Sequence, residues 1–451
     1  MKAGFGKVDI TPRLGLEMAG FGPYIHRVAT EIRDHLYARA LAVDDGNDRW
    51  VLVSCDLLGL EAPTVAEARE LIFASTALTA RQVMVHATHT HSAPATSYAI
   101  GWGEQDRPYM ERLPTLIARA AIGAVGTLQP ASFTYAVSPA EHLAYNRELE
   151  GRPDFAAALK EDWQPAHPEE TDRHAFVVGV WRGGELLGFV SSFSCHPVVC
   201  CESTHSMHGD FVGVATNMVE AEHPGCVGLF LQGSHGDINS AVCHQPQDRS
   251  MHALNVLAGR YARTIRAGLA AGQALDAAPV AAASEAVLLG RADWSRQRLL
   301  EEIASRRRQV LADPGGDASG DCQLNMVFIN GMRKVLADLE ARGTHQAPVE
   351  MQALRMGELR IVGTPFELFR QIKERLVRES RLEHLMVLSL TNDSAGYAVS
   401  KARYEQAKYA AGQVPFMLGV CPFRPDVEDE IVAAGLRLLR QLGLPAGGAV
   451  T

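Results

Sequence analysis

Short apolar, β-branched runs of strand length recur along this chain, and helix-length patterns lie between them. The runs cover residues 6–11, 38–44, 50–55, 83–86, 133–137, 176–181, 187–193, 226–231, 359–362 and 385–390, each bounded by glycine or polar residues. Helical periodicity fills 63–74, 109–125, 251–269 and 365–378. Pro63 and Pro365 suit a first helical turn, and Glu367 would then face the positive end of a helix dipole. Strands alternating with helices predict a mixed α/β (α+β) fold of layered strands and helices. From 292 to 344 the chain turns charged and helical around a glycine-rich turn, the pattern of a helical insertion. With no internal repeat and no low-complexity linker, residues 1–451 are expected to form one large domain, with a tail that frays after Leu444.

Composition narrows the partners. Net charge is −9 and no basic stripe stands out, which argues against nucleic acid. The basic cluster from Arg306 to Arg308 reads as the exposed face of a helix. No apolar stretch approaches the roughly 20 residues that span a bilayer, so no membrane partner is expected. The start of the chain carries scattered basic residues (Lys2, Lys7, Arg13) and no signal-length apolar run. The eight cysteines form no paired framework and no CxxC, the usage of reduced thiols in a cytoplasmic protein. The expected partner is a small-molecule substrate, with a homo-oligomer left open.

Three segments carry chemistry, and each follows an apolar run. The first holds His86, His89 and His91. Residues two apart share a face on an extended chain, so His89 and His91 can reach one site together, or a bend can give one to a metal and one to substrate. The second is Cys195-His196-Pro197, where the proline restricts His196 to extended backbone. His205, His208 and Asp210 follow in a polar loop. Cys195 or the Cys200-Cys201 doublet matches no usual zinc-finger spacing. The third is Gly233-Ser234-His235-Gly236-Asp237-Ile238-Asn239. Its glycines allow a sharp turn and a close approach to a ligand, and it is neither GxGxxG nor GxSxG.

The order of these segments resembles a known family. Thr88-His89-Thr90-His91-Ser92, Asn146-Arg147, His196-Pro197, Gly209-Asp210 and Gly236-Asp237-Ile238-Asn239 follow the catalytic domain of neutral, non-lysosomal ceramidases and their bacterial relatives. Val8-Asp9-Ile10-Thr11-Pro12 near the start, Gly363-Thr364-Pro365-Phe366-Glu367, and the tyrosine-bearing stretch from Thr391 through Tyr397 and Tyr404 to Tyr409 agree with it. The resemblance spans roughly residues 4 to 430. It implies a single ceramidase-like metallohydrolase domain whose Zn2+ is held by His89, His196, Glu367 and Tyr397. It places His91 and Arg147 against the substrate or the developing oxyanion and makes Tyr409 a second active-site tyrosine. Where the family carries a serine, this chain has Asn239, with Ser240 one place later. An amide cannot act as a hydroxyl nucleophile, but it can donate a hydrogen bond to an oxyanion or hold a substrate carbonyl. No immunoglobulin-like C-terminal domain and no secretion signal are expected.

The expectation is therefore a zinc-dependent, amidase-like hydrolase of a small polar amide, cyclic amide or ester, acting on a C–N bond through metal-activated water. His91, Arg147, Asn239 and Tyr409 are the expected catalytic residues. A zinc-dependent lyase or isomerase on a sugar or hydroxy acid is the first rival. A catalytically silent metal- or ligand-binding homologue is the second, and a Cys195 nucleophile beside His196 the third. A second metal at His86, Asp56 or Asp237 is left open.

Overall fold

The computed structural model describes residues 1–343 and 347–443. The tail after Leu444, and Thr344 at the end of the expected insertion, lie outside the described residues. In the first sheet, β1 (Lys2–Asp9), β2 (Tyr37–Asp44) and β3 (Arg49–Cys55) run antiparallel. Helix α1 (Ala62–Thr76) then crosses over so that β4 (Val83–Ala87) joins β3 in parallel. Helix α2 (Arg107–Gly126), capped by Asp106, buries Leu113, Ile117 and Ala121 beneath that sheet. The approach is close: a Cβ on Gly6 of β1 would lie 2.1 Å from the Ala120 carbonyl oxygen.

The second sheet repeats the plan. Strands β5 (Ser132–Pro139), β6 (His174–Arg182) and β7 (Glu185–Phe193) are antiparallel. Helix α3 (Asp210–Glu222) carries the chain over to β8 (Val227–Gln232), parallel to β7, and α4 (Gln247–Ala271) packs beside α3. In the third sheet, β9 (Val280–Val287) is followed by α5 (Arg296–Ala312) and α6 (Gly320–Arg342), a helical hairpin. Strands β10 (Val349–Met356) and β11 (Leu359–Gly363) extend the antiparallel pairing, and α7 (Arg370–Ser380) leads to β12 (Leu385–Leu388), parallel to β11. Leu52 and Met84 from the first sheet, Val190 and Leu229 from the second, and Leu354, Ile361 and Met386 from the third share one buried core.

The expected mixed α/β class is the observed one. Two local expectations fail. The helix expected over 365–378 begins only at Arg370. Glu367 instead lies in a two-residue strand, Glu367–Leu368, paired in parallel with Tyr397–Ala398, because its backbone N–H donates to the Gly396 carbonyl. Strands β9 and β10 were not expected, since Val280–Val287 is alanine-rich and Val349–Met356 carries Glu350 and Arg355.

The three parallel pairs bring their carboxyl ends together. Ala87 N–H donates to the Leu390 carbonyl at 3.1 Å, Asn392 N–H to Val85 at 2.7 Å, and Ser389 N–H to Gln232 at 3.0 Å. The histidine-bearing loops leave β4, β7 and β8 at this junction, the place where open α/β sheets bind ligands. Among the described residues no helix is long and apolar enough to cross a membrane.

Candidate metal centre and active site

His89 leaves β4 with left-handed backbone (φ +67°). A non-glycine residue there costs about 1–3 kcal/mol and persists only when the surroundings fix it. They do: its N–H donates to the Leu57 carbonyl at 2.9 Å and its Nδ1 to the Leu58 carbonyl at 2.8 Å. His196 follows β7 and is tied twice to Ile238, through its backbone N–H (2.9 Å) and its Nδ1 (3.0 Å). His235 follows β8, and its Nδ1 meets its own turn at the Gly233 carbonyl, 3.1 Å away. Gly236 lets this turn lie against the strand of Glu367, since a Cβ there would stand 2.7 Å from the Glu367 carbonyl oxygen.

A carbonyl oxygen only accepts, so each of these Nδ1 atoms carries the ring proton and each Nε2 presents a lone pair. The three Nε2 atoms converge on Glu367 Oε2, at 3.4 Å for His89, 3.0 Å for His196 and 3.7 Å for His235. Lone pairs aimed at a carboxylate oxygen over such distances repel unless a proton or cation lies between them. Burial disfavours the proton: it pushes the His196 imidazole down to about 3, helped by Arg147, and the His235 imidazole well below its ordinary value. Burial alone would raise the Glu367 carboxyl, and positive charge at the His89 and His196 nitrogens, from a proton or a shared cation, is what holds it well below the usual carboxylate range. His235 Nε2 is fully buried and has no hydrogen-bond partner among the described residues. Inward imidazole lone pairs, one of them orphaned, around a carboxylate oxygen are the donor set a divalent cation requires of its ligands. The four donor atoms lie within 4.8 Å of one another.

A second set of side chains edges this cluster. His91 donates through Nδ1 to the Gly20 carbonyl at 3.0 Å and holds its Nε2 3.2 Å from that of His89. The Tyr397 hydroxyl accepts from Arg147 Nη2 at 2.9 Å and lies 3.4 Å from His196 Nε2. Arg147 also donates to the Gly236 carbonyl at 2.6 Å and stands 3.5 Å from Asn239 Oδ1. Among the described residues it pairs with no carboxylate. Asn239 sits in a short strand (Ile238–Ser240) opposite Tyr145, and its amide nitrogen is 3.5 Å from the Tyr145 hydroxyl. Tyr409, 45% exposed, stands at the mouth with its ring 6.1 Å from that of Tyr397.

The structure thus gathers His89, His91, Arg147, His196, Asn239, Glu367, Tyr397 and Tyr409 around one centre. It adds His235, which the sequence showed only as part of a glycine-bounded turn. The visible signal was its place directly after a strand, in register with the histidines after the other two. Tyr397 stands beside the nitrogen–carboxylate cluster with its oxygen already bonded to Arg147. Other polar residues go elsewhere. His86 accepts the Gln232 N–H at 2.9 Å, Asp56 pairs with buried Arg39, and Asp237 accepts from Asn146 and the Arg370 N–H. His208 faces Cys200 at 3.4 Å. Burial raises the Cys195 thiol well above its usual value, the opposite of an activated nucleophile. Ser240 is fully buried and donates its hydroxyl to the Val242 carbonyl at 2.8 Å.

The centre opens on a cavity of about 110 Å³. His89, His91, Glu367, Tyr397 and Tyr409 form its polar side, and Trp102, Val414, Met417 and Leu418 its apolar side.

The whole architecture recurs in solved structures. A neutral ceramidase from Pseudomonas aeruginosa matches with a TM-score of 0.75 at 18% identity, over 100% of this chain and 76% of that one. A ceramidase complexed with C2 matches with a TM-score of 0.74 at 17% identity, with the same coverage. At these identities the likeness establishes the fold. Sequence establishes the kinship, because the family model for neutral/alkaline non-lysosomal ceramidase, N-terminal, matches residues 1–261, which takes in His89, His91, Arg147, His196, His235 and Asn239. With more than half of its length matched, and with that match carrying most of the centre just described, the chain belongs to the neutral/alkaline non-lysosomal ceramidase family.

Proposed function

We propose that this chain is a zinc-dependent amidohydrolase of a small amide, cyclic amide or ester. The observation that carries the reading is the set of inward lone pairs of His89, His196 and His235 around the Glu367 carboxylate, opening directly on the cavity. A zinc ion held by these residues supplies Lewis acidity toward a carbonyl and toward the attacking water. The protein's own groups do the rest. His91 Nε2, its ring fixed by the Gly20 carbonyl, accepts a proton from the water. Arg147 and the Asn239 amide donate to the oxygen on which charge develops. The Tyr409 phenol, at the mouth, gives its proton to the leaving nitrogen and recovers one from His91 as the products depart, so both groups end as they began.

Cavity size supports a small substrate. Pockets that enclose drug-sized ligands run to roughly 300–1,000 Å³, well above this one. Ceramide carries two long hydrocarbon chains. A panel of short N-acyl amides and lactams, assayed beside long-chain ceramide in detergent, is expected to give turnover of one or more small substrates and little of ceramide. Ceramide turnover matching the best small amide would overturn the small-substrate reading. Running the active reaction in oxygen-labelled water separates hydrolysis, which places the label in the product acid, from a lyase or isomerase reaction, which does not.

Asn239→Ala is expected to lower the rate by about 100- to 1,000-fold, the usual cost of losing an oxyanion donor. Zinc content should stay unchanged, because the amide is 3.5 Å from its nearest partners and is not a proposed ligand. A near-normal rate would reduce Asn239 to a turn residue. A mass increment trapped on residues 234–240 during turnover would restore a covalent route.

A further inference from the structure

The helical hairpin α5–α6 lies outside the metal centre, yet its apolar face is spent on the cavity's wall. Helix α5 is capped by Ser295 and α6 by Ser319. Most of their length is polar, and α5 buries only Leu299. Val327, Phe328, Met332 and Val335 of α6 join a core with Tyr397, Val414, Phe416 and Met417. The chain reaches that wall through a π-helical turn, Lys408–Gln413, which carries Tyr409, and continues as α8 (Val414–Met417). Single π turns inside helices occur often at functional sites.

Helix α8 has two working faces. Val414, Met417 and, one residue beyond, Leu418 line the cavity. Residues three and four apart share a helix face, so Phe416 faces away, toward the hairpin. There Gly331 of α6 meets it: a Cβ on Gly331 would lie 1.8 Å from the Phe416 carbonyl oxygen. Just before the Ser295 cap of α5, the Trp294 ring packs edge-on against Phe416 at 4.8 Å. The wall is tied across the cavity mouth as well, where Ile100 N–H donates to the Met417 carbonyl at 2.9 Å.

We propose that the α5–α6 hairpin sets the length of apolar chain that the cavity accepts, with Gly331 as the positioning residue that fixes how far the wall stands from the histidine–glutamate cluster. The substrate class this implies is an amide with a short aliphatic acyl group. The identity of the probe below rests on the zinc-hydrolase reading, while the claim about the wall does not. A side chain at position 331 must push α8 away from α6, and the opposite face of α8 is the cavity. Alanine is a better helix former than glycine, so α6 stays helical and the change acts at its contact with α8.

The test is calorimetric titration of the zinc-loaded full chain with acetohydroxamate and hexanohydroxamate. Gly331→Ala is expected to weaken the six-carbon ligand by at least about tenfold, within the range that small volume changes cost in an apolar pocket, and to alter the two-carbon ligand by less than about twofold. Trp294→Ala, which removes support outside the cavity, is expected to shift the ratio between six- and eight-carbon hydroxamates toward the longer one, and it serves alone if the first variant does not fold. Bound zinc should match the parent protein in both. Equal losses for short and long ligands, or an unchanged ratio in the folded variants, would overturn the proposal. Absence of any hydroxamate binding to the parent protein would instead overturn the zinc reading. Straight-chain amides from two to eight carbons, followed by saturation-transfer NMR on metal-free protein, then decide the chain-length claim by the same ratio.

Discussion

Replacing His196 by alanine is expected to empty the metal centre. His196 makes the shortest imidazole contact to Glu367 Oε2, 3.0 Å, and its ring is locked by Ile238 on the far side. Loss of a group that only orients a ligand typically costs 10- to 100-fold in metal affinity, so loss of a direct ligand should exceed about 100-fold. After dialysis against a weak chelator, the parent protein should hold about one zinc per chain and the variant almost none. His235→Ala should behave in the same way, because its Nε2 has no other partner among the described residues. Tyr397→Phe should retain the ion, since three imidazoles and a carboxylate remain, and should lower the rate through Arg147, which loses its 2.9 Å acceptor. Full zinc occupancy in His196→Ala would remove this residue from the ligand set. Full occupancy in His235→Ala together with an empty Tyr397→Phe would exchange the histidine for the phenol.

Arg39→Met is expected to produce the largest loss of stability. Arg39 of β2 is almost fully buried and donates to Asp56 at 2.6 Å, Glu220 at 3.1 Å and Asn217 at 2.5 Å. Both carboxylates are buried as well. Glu220 also takes Lys7 at 2.6 Å and the Gly228 N–H at 2.9 Å, so the network pins β1, β2 and β8 to α3, the helix that leads to the His235 turn. Among the described residues Arg39 is the cation that Asp56 and Glu220 share, and its removal leaves Asp56 buried with no counter-charge beside a Glu220 held by Lys7 alone, a change of the kind that costs about 3–5 kcal/mol when one partner of a buried pair is deleted. Methionine keeps the side-chain volume, so the effect isolates charge from cavity formation. Denaturant unfolding near neutral pH checks the magnitude. The sign of the pH dependence is fixed too: burial already raises the Asp56 carboxyl, Arg39 and Lys7 hold the Glu220 carboxyl down against its own burial, and without Arg39 both carboxyls shift upward. Their protonation should therefore shrink the deficit as the pH falls. A loss below about 1 kcal/mol, the range of an exposed ion pair, would show that the network is not energetically buried.

Much of this was legible in the sequence where one physical signal dominated. Residues 50–55 and 83–86 read as strands because β3 and β4 are buried on both faces and so run continuously apolar. His89, His91 and His196 were visible as candidates because each follows such a run. Other features are settled by tertiary contacts. In β10, Glu350 pairs with Arg69 at 2.6 Å, and Gln352 accepts from Asn392 at 2.7 Å, so polar residues that break the apolar pattern are satisfied from other elements. Pro365 and Glu367 imitate a helix start, but the Gly396 carbonyl recruits the Glu367 N–H first. His235 was hidden because glycines on either side explain a turn without any ligand. The wall formed by Val414, Met417 and Leu418 depends on a helix eighty residues earlier, a relation no local pattern carries.

Anomalous diffraction at the zinc absorption edge, on crystals of the full chain purified without added chelator, tests the metal centre most directly. One strong peak is expected between the Nε2 atoms of His89, His196 and His235 and the Glu367 carboxylate, with each donor about 2.0–2.2 Å away. A protein carrying stoichiometric zinc whose peak lies elsewhere, or whose His235 Nε2 stays out of contact with the ion, would contradict it.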